Sequence, residues 1–407
     1  MANRNQLGVF WGKNDGVYFV ETEQTTPKIT FHASISEDFD PSNKENASSP
    51  LEKKITTNIT SALNRHTIKT KTARLSLPIK DIIFRSFIIP WVLPGEIENV
   101  VTFEIGKYIP FPLDELYFSF HPIPIVEKGI KRFHIIFVAI KKEALENHIR
   151  IFKSSSIEII SAEPESSSLI RILKHKNLIP KNETIAIIEK NIVGQIIFVN
   201  NGIPRFVREF DISETKQDSD KSDDEITKLA KEARISLEYF NRQNRKLTVG
   251  KILFLTSTDI AKDAIKDFQD YIKIPTTIIK SAEIFGESER SMNPSFLNAY
   301  GSSIASPTDT SPSFDFLKEK AKLVRKKKSV KRTDLDYNKA LKTALVCTPL
   351  MIASFIGPNK LTQKLKEELT LLNQDLGSFR DADISFINQK EELLKTKLTY
   401  FRAVRTK

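Results

Sequence analysis

Two prolines, Pro110 and Pro112, interrupt a helical pattern that runs up to Tyr108 and Ile109. Proline lacks the N–H that a helix interior needs, and it pushes the residue before it out of the α region. A strand-like segment, residues 116–120, follows directly. The spacing therefore predicts a helix that stops at a fixed corner and a strand that leaves it. A helix-to-strand connection without any special role is the alternative.

The segments around this corner follow a recognisable order. Upstream lie Leu77-Pro78, an apolar strand, the segment 87–90, and a helix that begins near Pro94. This order over residues 77–118 resembles the PilM family, which are actin-like cytoplasmic proteins of type IV pilus assembly, and the related cytoplasmic domain of GspL from type II secretion. In that family a strand, a proline and a helix lead to a Glu-x-x-x-Tyr-Ile-Pro-Phe-Pro signature, which stands here as residues 104–112.

Strand units and helices alternate twice along the chain, and the second half opens near residue 183. Continuous apolar runs such as 133–141 and 252–256 have the length of buried strands. These patterns alone predict a mixed α/β protein. The resemblance, which covers residues 5–306, implies that residues 1–308 form a two-lobed actin-like (ribonuclease H-like) cytoplasmic domain.

The composition narrows the function classes. The 407-residue chain carries a net charge of +11, which fits binding to nucleic acid, binding to an anionic membrane surface, or solubility alone. A single cysteine, Cys347, excludes a disulfide framework and a multi-cysteine metal site. Neither a His-x-x-x-His nor a Cys-x-x-Cys pair occurs, so we expect no metal. Residues 1–6 lack the apolar core of a secretory signal, so we expect none.

By resemblance, actin-like ATPases hold nucleotide between two lobes. Each lobe offers a hairpin with an Asp-x-Gly turn, whose carboxylate serves the metal or the attacking water. Here Gly8 and Gly12 keep the glycines of the first hairpin, but Phe10 occupies the position of the aspartate and Trp11 adjoins it. In the second hairpin, residues 188–191 read Ile-Glu-Lys-Asn and contain no glycine. These replacements predict a cleft that has lost its metal anchor.

Further positions are matched through the same resemblance. Thr256-Ser257-Thr258 replaces an adenine-side Gly-Gly, Glu232 matches a nucleotide-contacting position, and Ala299-Tyr300-Gly301 matches a late Ala-x-Gly turn. The candidate residues of this degenerate nucleotide cleft are Gly8, Gly12, Glu232 and Gly301. We expect no catalytic residues, no ATP hydrolysis and no cofactor. ATP binding without turnover, and an active PilM-like ATPase, are the alternatives.

A basic run, residues 322–332, precedes an uncharged stretch between Lys342 and Lys360. The seventeen residues between these lysines span about 25 Å as a helix, slightly less than a hydrocarbon core of about 30 Å, and the lysines can snorkel. We predict a basic juxtamembrane linker at 309–340 and a single transmembrane helix at 341–357, with the N-terminal side cytoplasmic. A buried helix and a nucleic-acid patch are the alternatives.

Beyond the predicted span, Leu365, Leu369, Leu372 and Leu376 follow the a and d spacing of a coiled coil. We predict a coiled-coil tail over 358–407, which would support a homodimer. By resemblance, this order of span and coiled coil is that of GspL and of PilN-like membrane proteins. A single amphipathic helix that packs on its own protein is the alternative.

Together these features predict an inner-membrane platform or adaptor of a type II secretion or type IV pilus-like machine, and not an enzyme. By resemblance its partners are the assembly ATPase and an inner-membrane PilN/PilO-like or GspM-like protein, with the membrane but without nucleic acid. A docking surface is expected beside the proline corner, at Glu104, Tyr108, Phe111 and Asp114, with residues 225–245 as the alternative. A basic nucleic-acid-binding protein is the rival from another class.

Overall fold

The structure is a computed structural model of the chain. It describes residues 5–12, 16–33, 50–190, 193–212, 221–257, 259–286, 292–306, 312 and 314–318, and four further positions, 367, 370, 371 and 392. The chain divides into two units, Met1–Arg325 and Lys326–Lys407. The four C-terminal positions are helical and are the described part of the second unit.

The first lobe is built on a five-stranded sheet. Its strands are β1 (Gln6–Trp11), β2 (Val17–Glu23), β3 (Thr26–Ala33), β4 (Thr72–Leu77) and β8 (Glu158–Pro164). The strand order is β3-β2-β1-β4-β8, with β1, β2 and β3 antiparallel and β4 and β8 parallel to β1. Three helices accompany this sheet: α1 (Pro50–Arg65), α3 (Lys142–Ser154) and α4 (Glu165–His175).

The second lobe repeats this topology. Its strands are β9 (Thr184–Lys190), β10 (Val193–Asn200), β11 (Ile203–Asp211), β12 (Val249–Thr256) and β13 (Thr276–Lys280), in the order β11-β10-β9-β12-β13. Again three antiparallel strands continue into two parallel ones. The helices are α5 (Lys221–Gln243), α6 (Lys262–Ile272), α7 (Ser281–Phe285) and α8 (Ser295–Ser303). The last of them, α8, returns to the first lobe and packs on β1, β2, β4 and α4.

A smaller unit, here called the insert, lies between β4 and α3. It contains β5 (Ile82–Pro90), α2 (Ile97–Ile105), β6 (Leu116–Glu127) and β7 (Ile130–Lys141), with an antiparallel strand order β5-β7-β6. The predicted change from helix to strand is present, and a short 3-10 turn at Leu113–Glu115 leads into β6. The helix is shorter than the sequence pattern predicted, because α2 ends at Ile105 and residues 106–108 form a turn before Pro110.

Strands that are buried on both faces explain the long apolar runs in the sequence. In β9, Ile185 and Ile187 face a core shared with the first lobe, whereas Ala186 and Ile188 face α5 and α6. This alternation follows from the two-residue period of a strand. A third core, around Val101, holds α2 against the insert sheet.

The first lobe extends past residue 308, where the family resemblance placed the end of the domain. Phe314 and Phe316 are buried in the first-lobe core, and Asp315 Oδ1 accepts hydrogen bonds from the backbone N–H of Ala162 at 3.2 Å and of Leu317 at 3.1 Å. Residues 314–318 are therefore part of the folded unit and not of a linker. The chain contacts that fix them are remote in sequence, so local composition did not indicate them.

Among the residues that the structure describes, no helix has both the length and the apolar character needed to cross a membrane. The predicted transmembrane helix at 341–357 lies outside the described residues, as does nearly all of the predicted coiled-coil tail at 358–407.

Candidate functional site

The first hairpin of the first lobe is filled by aromatic side chains. Phe10 stands at the position that the family resemblance assigns to an aspartate. It is buried and pairs with Tyr18 on β2, with ring centroids 6.3 Å apart. Trp11 is buried and meets the ring of His148 edge-on at 4.6 Å and that of Phe152 at 5.8 Å. The strand therefore presents apolar rings where a metal-binding carboxylate would be required.

Gly8 and Gly301, both predicted to contact nucleotide, are instead used for close backbone contacts. A Cβ on Gly8 would lie 2.0 Å from the carbonyl oxygen of Ala299, and one on Gly301 would lie 1.9 Å from that of Ser168. Glycine lets β1 approach α8, and lets α8 approach α4, more closely than any other residue could. The Ala299-Tyr300-Gly301 segment is not a turn, as the family motif suggested, but lies within α8.

The other two nucleotide candidates, Gly12 and Glu232, take no part in these contacts of α8. Gly12 directly follows β1 in the first hairpin, where its N–H donates to the carbonyl of Gly16 at 2.8 Å. Glu232 lies on α5 in the second lobe, and its Oε2 accepts from Arg208 Nη2 at 2.7 Å. Gly8 on β1 thus packs against α8, and Gly301 within α8 packs against α4, but the structure does not assemble the four candidates into one site.

A buried carboxylate links the two lobes at the start of α4. Glu165 Oε1 accepts a hydrogen bond from the backbone N–H of Ile79 at 2.7 Å and another from Gln195 Nε2, on β10 of the second lobe, at 2.8 Å. Ser76 and Ser168 share a hydroxyl hydrogen bond of 2.7 Å beside it. These contacts join the lobes through protein groups alone.

A second buried polar group stabilises α4 against α8. Arg171 donates to both carboxylate oxygens of Glu163, at 2.5 and 2.6 Å, and to the carbonyl of Gly301 at 2.9 Å. A two-point arginine–carboxylate contact fixes orientation as well as charge. Sequence reasoning missed Glu163, Glu165, Arg171 and Gln195, although an arginine inside the apolar run 169–173 and a glutamine opening the run 195–199 were available as signals.

These observations decide whether a metal-bound nucleotide fits. A phosphate-transfer site needs carboxylates for the metal and glycines whose N–H groups can reach phosphate. Phe10 supplies no oxygen, Gly8 and Gly301 are enclosed by backbone, and Glu232 is paired with Arg208. No group of three or more His, Cys, Asp or Glu side chains that could hold a metal ion occurs within the described residues. The residues present do not fit magnesium-bound ATP.

An open cleft of about 480 Å³ lies between the insert and the second lobe. Its walls come from the segment before β5 and β5 itself on one side, and from β11 on the other. The walls combine apolar and charged side chains: Ile79, Lys80, Ile82, Phe84, Arg85, Val207, Arg208, Glu209, Phe210 and Asp211. A cleft lined by apolar side chains together with charged side chains of both signs suits an extended peptide better than a compact polyphosphate.

The predicted docking residues lie next to this cleft. Arg85, which lines it, donates from Nε to the carbonyl of Tyr108 at 3.1 Å, and the Tyr108 ring stacks on Phe87 at 4.9 Å. Phe111 is half-buried beneath the ammonium group of Lys141, whose Nζ lies 4.5 Å from the ring centroid.

The two acidic candidates are held by lysines. Glu104 Oε2 accepts from Lys107 Nζ at 2.7 Å, and Lys142 Nζ donates to the carbonyl of Asp114, whose own side chain is exposed. All four predicted docking residues therefore lie at one end of the insert, around the proline corner.

A buried basic cluster joins the insert to the second lobe. Arg205 on β11 donates to His134 Nδ1 at 3.4 Å and to Asn200 Oδ1 at 3.1 Å, and His134 Nε2 lies 2.8 Å from Ser86 Oγ. Burial, and secondarily the charge of Arg205, lowers the pKa of His134 to about 4. The same two causes lower the pKa of His121, and burial lowers that of Arg205 to about 10. The neutral imidazole accepts at Nδ1, so it donates to Ser86 from Nε2.

Two five-stranded sheets with one repeated topology, joined by crossing helices α4 and α8, define the first unit as a two-lobed actin-like protein. Residues 16–199 match the family model described as "Type IV pilus assembly protein PilM", and this chain therefore carries a PilM-like domain, as the proline corner indicated. No curated protein sequence is significantly similar to the chain.

Solved structures resemble it as well. The "PilM-PilN type IV pilus biogenesis complex" aligns with a TM-score of 0.60 at 15% identity, covering 74% of this chain and 98% of that chain. This similarity confirms the actin-like fold. The cytoplasmic domain of EpsL, an inner-membrane component of the type II secretion system of Vibrio cholerae, aligns with a TM-score of 0.43 at 11% identity, covering 73% of this chain and 94% of that chain.

Proposed function

We propose that the PilM-like domain is a docking module of a type IV pilus or type II secretion assembly machine, and that it holds an extended cytoplasmic segment of a PilN-like membrane partner. The observation that supports docking is the open cleft between β5 and β11, which lies beside the proline corner. The partner is suggested by the similar solved structure, which is a PilM-PilN complex.

We propose further that the domain acts without ATP turnover. Support comes from the buried Phe10 and Trp11 of the first hairpin, which provide no oxygen ligand for a metal, and from Glu165, which joins the two lobes through its hydrogen bond with Gln195. A docking module needs a stable surface more than a nucleotide-driven motion, and a lobe contact that is made without ligand provides that stability.

Inner-membrane localisation, recruitment of the assembly ATPase and a homodimer belong to the same proposal. They rest on the predicted span at 341–357, the predicted coiled coil at 358–407 and the GspL resemblance. Carbonate extraction of membranes that contain the full chain tests the span, because an integral helix stays with the membrane whereas a peripheral basic segment is released.

Titration calorimetry with a synthetic peptide tests the docking. The peptide is the cytoplasmic segment of a PilN-like candidate partner. Asp114→Lys and Glu104→Lys reverse charges at the corner, and each is expected to weaken binding about tenfold, which corresponds to roughly 1.4 kcal/mol. Asp263→Lys, at an exposed site on α6, is the matched control and should bind as the wild type does.

Melting temperatures separate docking from folding. Weaker binding at an unchanged melting temperature supports the site beside the corner. Wild-type affinity in both corner variants would show that the docking surface does not include the corner. The exposed face of α5 around Glu238 is then the next surface to test. An absence of any peptide binding to the wild-type chain contradicts the proposed function.

A further inference from the structure

The far end of the insert carries four exposed apolar side chains, here called the tip patch: Trp91, Leu93, Val126 and Ile130. Their exposed fractions are 48%, 68%, 56% and 56%. Trp91 and Leu93 follow the end of β5, and Val126 and Ile130 flank the β6–β7 turn. Pro90 pairs with Arg132 and Val126 with Lys131 in the sheet, so all four residues lie at the same end of it.

The tip patch is held in a fixed shape. The turn at its centre is tight, because Lys128 and Gly129 both have positive φ, of 50° and 77°. The Trp91 ring stacks on buried Phe133 at 4.4 Å. Lys246 of the second lobe donates to the carbonyl of Val126 at 2.8 Å. An exposed aromatic ring on a rigid support is the type of residue that dominates protein interfaces.

Charges of opposite sign flank the tip patch on its two sides. Lys128 and Lys131 lie on the hairpin side, and Lys131 Nζ is 5.6 Å from the centroid of the Trp91 ring. On the other side, the turn after Leu93 carries the exposed Glu96 and Glu98 at the start of α2. Arg132 and Glu127 also lie near the tip patch, but they form an ion pair with each other within the hairpin, at 3.4 Å.

An apolar centre with acid on one side and base on the other is complementary to itself. A two-fold rotation about the centre places the glutamates of one copy against the lysines of the other and buries both apolar centres together. An anionic lipid surface would attract Lys128 and Lys131 but would also face the exposed Glu96 and Glu98, so the patch offers such a surface no net charge complementarity.

We propose that the tip patch binds the tip patch of a second copy of this chain, in a two-fold symmetric contact. This contact is independent of the proposed peptide cleft, which is lined by β5 and β11 and not by tip-patch residues. It also differs from pairing of strand edges, since Pro122 and Pro124 on the edge strand β6 lack the N–H that such pairing needs.

Cysteine cross-linking in the full chain tests the contact. In a Cys347→Ser background, Leu93→Cys places the sole cysteine in the tip patch, near the proposed axis. Ile160→Cys is the matched control, because Ile160 is 47% exposed and lies on β8, which belongs to the first-lobe sheet and not to the insert sheet. We expect a mild oxidant to convert the Leu93→Cys chain to a covalent dimer and to leave the Ile160→Cys chain monomeric. Equal cross-linking of both chains, or of neither, overturns the proposal.

Charge reversal makes the test specific for self-association. The acidic variant, Lys128→Glu with Lys131→Glu, and the basic variant, Glu96→Lys with Glu98→Lys, should each lose the Leu93→Cys cross-link at an unchanged melting temperature. A mixture of the two should regain it as a mixed dimer, because the acidic surface then meets the basic one. Failure of the mixture to regain the cross-link overturns the symmetric contact.

The fluorescence of Trp91 distinguishes a lipid surface from a second copy. Trp11 is buried in the first-lobe core, whereas Trp91 is exposed in the tip patch. An emission change that occurs in the wild-type chain but not in the Trp91→Phe variant therefore reports on the tip patch alone. A blue shift on addition of anionic phosphatidylglycerol vesicles, with no cross-linking of Leu93→Cys, would assign the patch to lipid and overturn the proposal.

Discussion

Glu165 and Gln195 connect the two lobes of this domain through a hydrogen bond of 2.8 Å, from Gln195 Nε2 to Glu165 Oε1. The same carboxylate oxygen accepts the N–H of Ile79 at 2.7 Å. Actin-like ATPases place nucleotide between their lobes, according to the resemblance that the sequence carries. In this domain the side chains of Glu165 and Gln195 make a direct contact between the lobes. This contact agrees with the replaced phosphate-loop residues, because the lobes are joined by groups of the protein itself.

Removal of this carboxylate should destabilise the domain. Glu165→Ala leaves the buried N–H of Ile79 and the amide of Gln195 without their acceptor, and we expect a loss of about 1–3 kcal/mol in the free energy of unfolding. Urea denaturation of the full chain measures it. Glu158→Ala, at an exposed position on β8, is the control and should change the value by less than about 0.5 kcal/mol. Equal free energies of unfolding for the two variants would show that the Glu165 contact between the lobes does not stabilise the domain.

Gly301→Ala should be more damaging than alanine at other glycines. The added methyl group would lie 1.9 Å from the carbonyl oxygen of Ser168, so α8 and α4 must separate, and we expect a loss of about 3 kcal/mol or more. Gly250→Ala is the control, since a Cβ there meets nothing within 4 Å. Thermal unfolding of both variants decides the point. A Gly301→Ala chain as stable as the control would show that this glycine does not serve helix contact.

Phe316 should contribute to the stability of the first lobe although it lies beyond the predicted domain end. Its ring is fully buried, and Phe316→Ala should cost about 3–5 kcal/mol. Phe103→Ala is the matched control, because Phe103 is 76% exposed on α2. Chemical denaturation of the two variants is the measurement. A small effect of Phe316→Ala would mean that residues 314–318 lie outside the cooperative unit.

The contact between the insert and the second lobe should weaken in acid. Above pH 6.5 the His134 ring is neutral in both the folded and the unfolded chain, so stability does not depend on it. Below this value the unfolded chain takes up a proton first, since burial and Arg205 lower the folded pKa to about 4. The domain should therefore lose up to about 3 kcal/mol as the pH falls from about 6.5 to about 4.

His134→Gln removes the titrating group and should flatten this pH dependence. The lowered pKa of His121 acts in the same direction, so part of the slope should remain. His175→Gln, at an exposed site, is the control and should keep the wild-type slope. Unfolding midpoints measured from pH 7 to pH 4 provide the comparison. An unchanged slope in His134→Gln would contradict the buried neutral ring.

The sequence predicted the parts of this fold that depend on local pattern. Proline chemistry at 110 and 112 determines the corner, and apolar runs such as 133–141 reveal buried strands, because both signals lie within a few residues of one another. The family resemblance then supplied the lobe arrangement. Patterns of this kind do not depend on which distant segments come together.

The candidate site was less predictable because its contacts join residues far apart in sequence. Gly8 and Gly301 were assigned to nucleotide by motif, but each glycine proved to accommodate a backbone approach. A motif match cannot distinguish these two uses, since both need the absence of a Cβ. The Glu165–Gln195 contact and the burial of Phe316 likewise depend on the assembled core, which single-sequence patterns do not describe.

The central claim is that this PilM-like domain works by docking and not by nucleotide turnover. The most direct measurement is phosphate release from ATP by the purified full chain, with and without magnesium. Because Phe10 replaces the metal-binding carboxylate, we expect release at the background rate under both conditions, and no change on Glu232→Ala. Magnesium-dependent turnover that Glu232→Ala abolishes would contradict the account and establish an active ATPase.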